Sequence, residues 1–240
     1  MTFEFGAMTE DVLREPRRRL LYGRRQGHRL SARQQGLLDD LLPRLAIPRD
    51  GPLDPASLFT SQPKALAFEV GFGGGEHLVA QASVHPDWGF FGCEPFVNGM
   101  AQALAHIDDS GLGNIRLHAG DARDVLERLP PASLDAVYVL FPDPWPKTRH
   151  WKRRFIGPDT VPELARVLKP GGLLRVASDI SDYVRWTLIH LAPSELFEWR
   201  AEGPSDWRVR PADWPGTRYE AKALRQGRTP SYLAFRRLGT

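Results

Sequence analysis

The chain has 240 residues, 42% of them hydrophobic and 25% charged, the composition of a folded globular protein rather than a disordered or fibrous one. Its one cysteine, Cys93, excludes a disulfide framework and a cysteine-based metal site, and the histidines show no metal-ligand spacing, so no metal is expected. No apolar stretch is long enough to cross a bilayer, and without a signal-peptide pattern at the N-terminus the expected location is a reducing cytoplasm.

Net charge is only +3, but it is unevenly placed. Between Arg14 and Arg33 there are eight arginines and one acid, Glu15. Residues 1 to about 30 read as a basic, mobile extension. Ser31 then has the character of a helix N-cap, with Gln34 at capping-box spacing. Leu37, Leu38, Leu41 and Leu42 share one helical face, and Pro43 is expected to stop the helix. Residues 43 to 63, rich in Pro, Gly and Asp, read as a connector. The expected division is an extension over 1–56 and a main domain over 57–240.

From Ala65 onward strands alternate with helices. Strands are expected at 65–70, 90–93, 115–118, 134–140 and 173–177, with final strands at 196–199 and 232–235. Helices are expected from Glu76, through Phe96, Met100, Leu104 and Ile107, around Val125 to Leu129, from Asp159 or Thr160 to Leu168, and over Ile180 to Leu191. Lys169-Pro170-Gly171-Gly172 reads as a sharp stop. This alternation predicts a mainly parallel sheet covered on both faces. Ligands of such sheets bind beyond the carboxyl ends of the strands. Glu69, Gly71, Glu94, Asp121, Asp143 and Asp179 all fall at or just after those ends.

Glu69-Val70-Gly71-Phe72-Gly73-Gly74-Gly75 is a glycine-rich turn between strand and helix. It suits a dinucleotide or S-adenosylmethionine. The third glycine of the dinucleotide fingerprint is replaced by Glu76. An acid just before the glycines favours the cationic S-adenosylmethionine over a diphosphate. Glu94 is placed to accept from ribose hydroxyls and Asp121 from an adenine amino group. Either acid alone has a second reading, as a helix N-cap.

Phe141-Pro142-Asp143-Pro144-Trp145-Pro146-Lys147 follows the fourth strand. Two prolines flank the acid, fix φ and remove backbone donors, so the strand ends in a stiff loop carrying a carboxylate. Beyond it Arg149, His150, Trp151, Lys152, Arg153 and Arg154 form a basic run with an aromatic in it, which points to nucleic acid.

These motifs, in this order, resemble the bacterial tRNA (guanine-N7)-methyltransferases. Gly92-Cys93-Glu94, Gly120-Asp121-Ala122, Ser178-Asp179 with Tyr183, and Thr217-Arg218-Tyr219-Glu220 with Lys222 extend the likeness over nearly the whole chain. The resemblance implies a Rossmann-like class I methyltransferase fold with a seven-stranded, mainly parallel sheet. It implies S-adenosylmethionine contacts at Glu69, Gly71, Gly73, Glu94, Asp121 and Asp143, with Asp143 catalytic. Substrate contacts are implied at Lys147, Asp179, Thr217, Arg218, Tyr219 and Glu220, and RNA contacts at Arg149 to Arg154. The implied partner is tRNA, methylated at guanosine 46 of the variable loop, with no membrane and no obligate protein partner. A monomer and a homodimer both remain open. Pro95 after Glu94 departs from the usual pattern.

Guanine N7 carries no proton, so alignment of nitrogen, methyl and sulfur matters more than a base. Asp143 is expected to accept from guanine N1 and N2 hydrogens and to balance the charge moving onto the purine. Asp179 is the other available carboxylate, with an N-cap role as its second reading. Trp145 either stacks on the target base or packs the loop. Trp199, Trp207 and Trp214 are expected to pack. Two rival functions are an amino-methyltransferase acting on adenine or cytosine, and a non-catalytic RNA-binding module on the same fold.

Overall fold

The computed structural model describes residues 21–239. Five strands alternate with helices, as the apolar pattern requires. These are β1 (Ala65–Val70), β2 (Trp88–Cys93), β3 (Ile115–His118), β4 (Leu134–Leu140) and β5 (Leu168–Ser178). They run parallel, and β6 (Phe197–Trp199) and β7 (Ser231–Arg237) complete a seven-stranded sheet in the order β3-β2-β1-β4-β5-β7-β6. Strand β7 is antiparallel to both its neighbours. The order reverses between β1 and β4, which opens a crevice at the carboxyl ends of those strands.

The central strands are buried nearly end to end because helices cover both faces. Helices α1 (Ala32–Leu45), α2 (Glu76–Val84) and α3 (Val97–Ser110) pack over one face, where Leu41, Leu45, Leu78, Met100 and Leu104 meet Phe90 and Leu117. Helices α4 (Ala122–Leu126), α5 (Thr160–Val167) and α6 (Ser181–Leu191) pack over the other, where Val125, Leu164 and Leu191 meet Phe68, Val137 and Val176.

Ser31 caps α1 through the reciprocal box with Gln34. Pro43 does not stop this helix, which continues to Leu45 with the proline inside it. The carbonyl it leaves without a donor belongs to Asp39, an exposed residue that water can satisfy. The connector after α1 is tied down: Ile47 donates to the Leu117 carbonyl at 2.9 Å and covers the open edge of β3. The Lys169–Gly172 stop is real as a helix end, yet its residues belong to an irregular start of β5, where the register against β4 shifts.

Part of the segment expected to be mobile is held. The Val97 amide donates to the Arg25 carbonyl at 2.9 Å, and Asn98 accepts from Gly27 and donates to the His28 carbonyl. Residues 22–28 therefore lie as a strap over the start of α3. Residues 1–20, with the larger part of the expected basic extension, lie outside the described residues.

Two helices had no counterpart in the expected elements: α7 (Ser205–Arg208) and α8 (Arg218–Arg225). Thr217 caps α8 by accepting from the Glu220 amide. The Thr-x-x-Glu spacing is itself a capping-box signature in the sequence.

Candidate active site

The glycine turn leaves β1 with Gly71 and Gly73 at φ of +65° and +59°, a left-handed backbone that glycine adopts without strain. The turn is closed by its own backbone: the Gly71 amide donates to the Cys93 carbonyl at 2.8 Å and the Gly75 amide to that of Phe72 at 2.9 Å. Glu94, at the end of β2, is buried and braces the turn: it accepts from the Gly73 amide at 2.7 Å and the Phe96 amide at 2.8 Å. Pro95 sits inside this brace without breaking it. Burial raises the Glu94 carboxyl against the lowering effect of those two amides, and the Asp143 charge raises it further.

Glu69 is buried beneath the turn, 2.8 Å from Nδ1 of the equally buried His77. Tyr138 and Trp214 pack against the His77 ring. His77 was not anticipated as a site residue. Its position eight residues beyond Glu69, on the inner face of α2, was the available signal.

Asp121 caps α4 through the Arg123 amide and also accepts from the Arg123 guanidinium, at 2.8 Å for its Nη2. The N-cap reading of this acid is thus present in the structure. Glu94 by contrast caps nothing by itself: Phe96 is the residue at the start of α3.

Asp143 sits at the end of β4 on a strained loop. Phe141 and Trp145 have φ of +50° and +42°, an unfavourable region for bulky side chains that costs about 1–3 kcal/mol each. Each is followed by a proline, which narrows the alternatives further. The Phe141 amide donates to the Ala177 carbonyl of β5 at 2.8 Å. Protein surrounds much of the Asp143 carboxylate while its tip meets solvent, and this partial burial raises its pKa. The strap passes close by, since a Cβ placed on Gly23 would lie 3.9 Å from Asp143 Oδ2.

Arg154 holds the loop from behind. It donates to the Pro144 carbonyl at 2.8 Å and more weakly to that of Trp145 at 3.4 Å. It also pairs with Asp182 in the first turn of α6. Its side chain is 0% exposed, with Trp186 and Trp151 rings 4.9 and 5.2 Å from the guanidinium. The expectation that Arg154 touches RNA is corrected: it is walled in by aromatics, and its Nε and Nη2 donors are taken by the Pro144 and Trp145 carbonyls and by Asp182.

The rest of the basic run faces outward or lies at the surface. Lys147, Arg149 and Lys152 are exposed, and His150, Trp151 and Arg153 half-buried. Residues Thr148–Arg153 form a short 3-10 helix. Arg153 lies 3.9 Å from the Tyr22 ring centroid and 5.0 Å from that of Trp145. Trp145 meets Tyr22 and His150 edge-on, so it packs between strap and basic run.

Asp179 follows β5 and accepts from Arg228 Nε at 2.5 Å. Ile180, not Asp179, stands at the N-cap of α6. Across the crevice, α8 brings its first turn onto the glycine loop. A Cβ at Gly73 would lie 2.6 Å from the Tyr219 ring, and one at Gly74 2.8 Å from the Arg218 guanidinium. Arg218 donates to Gln102 and lies 3.4 Å from Glu76. Glu220 points inward instead, accepting from the Tyr232 hydroxyl. A narrow cleft lined by Glu69, Gly71, Phe141, Thr217 and Tyr219 results. Trp214 is buried in the core, as expected of a packing residue. Among the described residues no group of three metal-ligating side chains converges, and no helix is long and apolar enough to cross a membrane.

A family model described as "Putative methyltransferase" matches residues 63–232. The tRNA (guanine-N(7)-)-methyltransferase of Rhodospirillum rubrum is 54% identical over 221 residues, covering 90% of this chain and 87% of the relative. The enzyme of the same name from Nitrobacter hamburgensis is 55% identical over 218 residues, covering 90% and 86%. That from Rhizobium meliloti is 50% identical, covering 90% and 94%. Among solved structures, the 16S rRNA methyltransferase KamB superposes with a TM-score of 0.51 at 16% identity, covering 74% of this chain and 90% of that one. TrmN from Thermus thermophilus gives 0.52 at 17%, covering 85% and 48%. At those identities the likeness is one of fold. The ordered motifs, the strand-end acids and the whole-chain similarity lead to one conclusion: the chain belongs to the bacterial tRNA (guanine-N7)-methyltransferase family.

Proposed function

We propose that the protein transfers a methyl group from S-adenosylmethionine to N7 of guanosine 46 in the tRNA variable loop. The observation that carries this reading is Asp143. A strained double-proline loop holds it at the end of β4, where its charge is felt by Glu94 across the crevice.

The donor set suits a cation. Glu69, Glu94 and Asp143 are acids around the glycine turn, and Glu94 already takes the Gly73 amide that a diphosphate would need. Glu69 and the Gly71–Gly73 backbone would hold the amino-acid end of S-adenosylmethionine, Glu94 the ribose and Asp121 the adenine. Asp121 then exchanges part of its bonding with Arg123, and Tyr219 swings off Gly73 to make room. Bound there, the cofactor supplies an electrophilic methyl group on a cationic sulfur.

The chain's own residues do the rest. Asp143 accepts from guanine N1 and N2 and so turns N7 toward the crevice. Its negative charge favours positive charge on the purine as transfer proceeds. No proton leaves N7, so Asp143 orients and stabilises rather than removing hydrogen. Asp179 stands at the next strand end, and Lys147, Arg149, Lys152 and Arg153 draw the phosphates in. Transcripts test the position: replacing guanosine 46 by adenosine should abolish transfer, while replacing other variable-loop guanosines should not. Undiminished transfer to the substituted transcript would refute the assignment.

A further inference from the structure

A groove of about 750 Å³ opens beside Ser178 and Asp179, between α6, α7 and the start of β7. Of the expected substrate and RNA contacts, only Asp179 lines it. Its floor is apolar, formed by Val184, Leu188 and Trp207, and Arg185 and Arg228 stand at its walls. Among the described residues Asp179 is its only lining acid, and it is already paired with Arg228 at 2.5 Å. A third cation stands close, the Arg208 guanidinium, 4.6 Å from the Trp207 ring centroid. Arg185 is exposed and has no partner among the described residues.

This chemistry is amphipathic in a particular way. Apolar side chains and an indole suit the face of a nucleobase, and arginines suit the phosphate beside it. The volume is ample for one nucleotide. The groove begins at the carboxyl end of β5, and β5 is bonded to the Asp143 loop through the Phe141 amide and Ala177 carbonyl at 2.8 Å. The Asp179–Arg228 pair lines the groove just beyond that strand end.

We infer that this groove seats a nucleotide immediately flanking the methylated guanosine, with its base on Trp207 and Leu188 and its phosphate on Arg185. The inference rests on the proposed RNA substrate and deepens it. A base drawn into the groove pulls the strand taut across Asp179, which keeps the target guanine unstacked from its neighbour and presented to Asp143.

Two variants and one cross-link test it on the full-length protein with unmodified tRNA transcript. Val184→Trp fills the floor, and Arg185→Glu reverses the exposed charge without touching the core. Each should raise KM for tRNA by ~10-fold, the scale of one lost base stack, with S-adenosylmethionine affinity unchanged. 5-Iodouridine placed on either side of the target should cross-link to Trp207 from one of the two positions. Wild-type KM in both variants, or cross-links that miss Trp207 from both positions, would overturn the groove assignment while N7-methylation continued. Absence of N7-methylguanosine with the wild-type protein would instead overturn the substrate reading on which the groove depends.

Discussion

Replacing Arg154 by glutamine should lower stability and turnover without changing how tRNA binding depends on salt. The guanidinium is enclosed, and its bond to the Pro144 carbonyl is charge-assisted, worth about 1.5–3 kcal/mol. Its contacts with the Trp151 and Trp186 rings add about 0.5–2 kcal/mol. The pair with Asp182 adds little, about 0–1 kcal/mol, because that carboxylate is 55% exposed. Glutamine recovers part of one bond, so a net loss of about 2–4 kcal/mol is expected, and for a chain of this size each kcal/mol lowers Tm by about 2–4 °C. The loss falls on the loop that carries two unfavourable φ angles. With the Pro144 carbonyl released, that loop relaxes and kcat falls, since misplacement of about 1 Å costs about 100-fold. Thermal unfolding, steady-state kinetics and filter binding across a salt series read the three quantities. A phosphate contact would behave differently, flattening the log–log salt slope by about 0.7–0.9. That flattening, with Tm unchanged, would refute the positioning role.

Asp143→Asn should abolish most turnover yet raise Tm at neutral pH. Burial holds the Asp143 carboxyl above its ordinary range, so in the window just above the unfolded value the folded state binds more protons, and stability falls as pH rises through it. The variant escapes that penalty, and its Tm advantage should vanish below about pH 3, where both states are protonated; a wild-type protein that gains stability with rising pH relative to the variant would contradict the sign. Thr217→Ala should remove the cap of α8, costing about 1 kcal/mol, and raise KM for S-adenosylmethionine through the Tyr219 turn; calorimetric titration showing unchanged affinity would separate the helix from the cofactor site.

The strand ends were legible because burial on both faces writes β1 to β5 as apolar runs, and the acids stand where those runs stop. The inward turn of Arg154 was not. In Arg149 to Arg154 the charges look alike along the chain, and Trp186, which helps to enclose Arg154, lies 32 residues away; nothing local marks which arginine faces in. The strap over α3 was hidden for a similar reason, since its anchor Asn98 is 71 residues beyond Gly27. Helix α8 was readable in principle from Thr217 and Glu220, but its first turn earns no apolar periodicity: Arg218 and Tyr219 are spent on the glycine loop rather than on the core.

The central claim concerns one atom of one base. Incubation of the protein with methyl-labelled S-adenosylmethionine and unmodified tRNA, followed by digestion to nucleosides, reads it directly. The label should appear in N7-methylguanosine, and label in N6-methyladenosine, or in no nucleoside at all, would contradict the account.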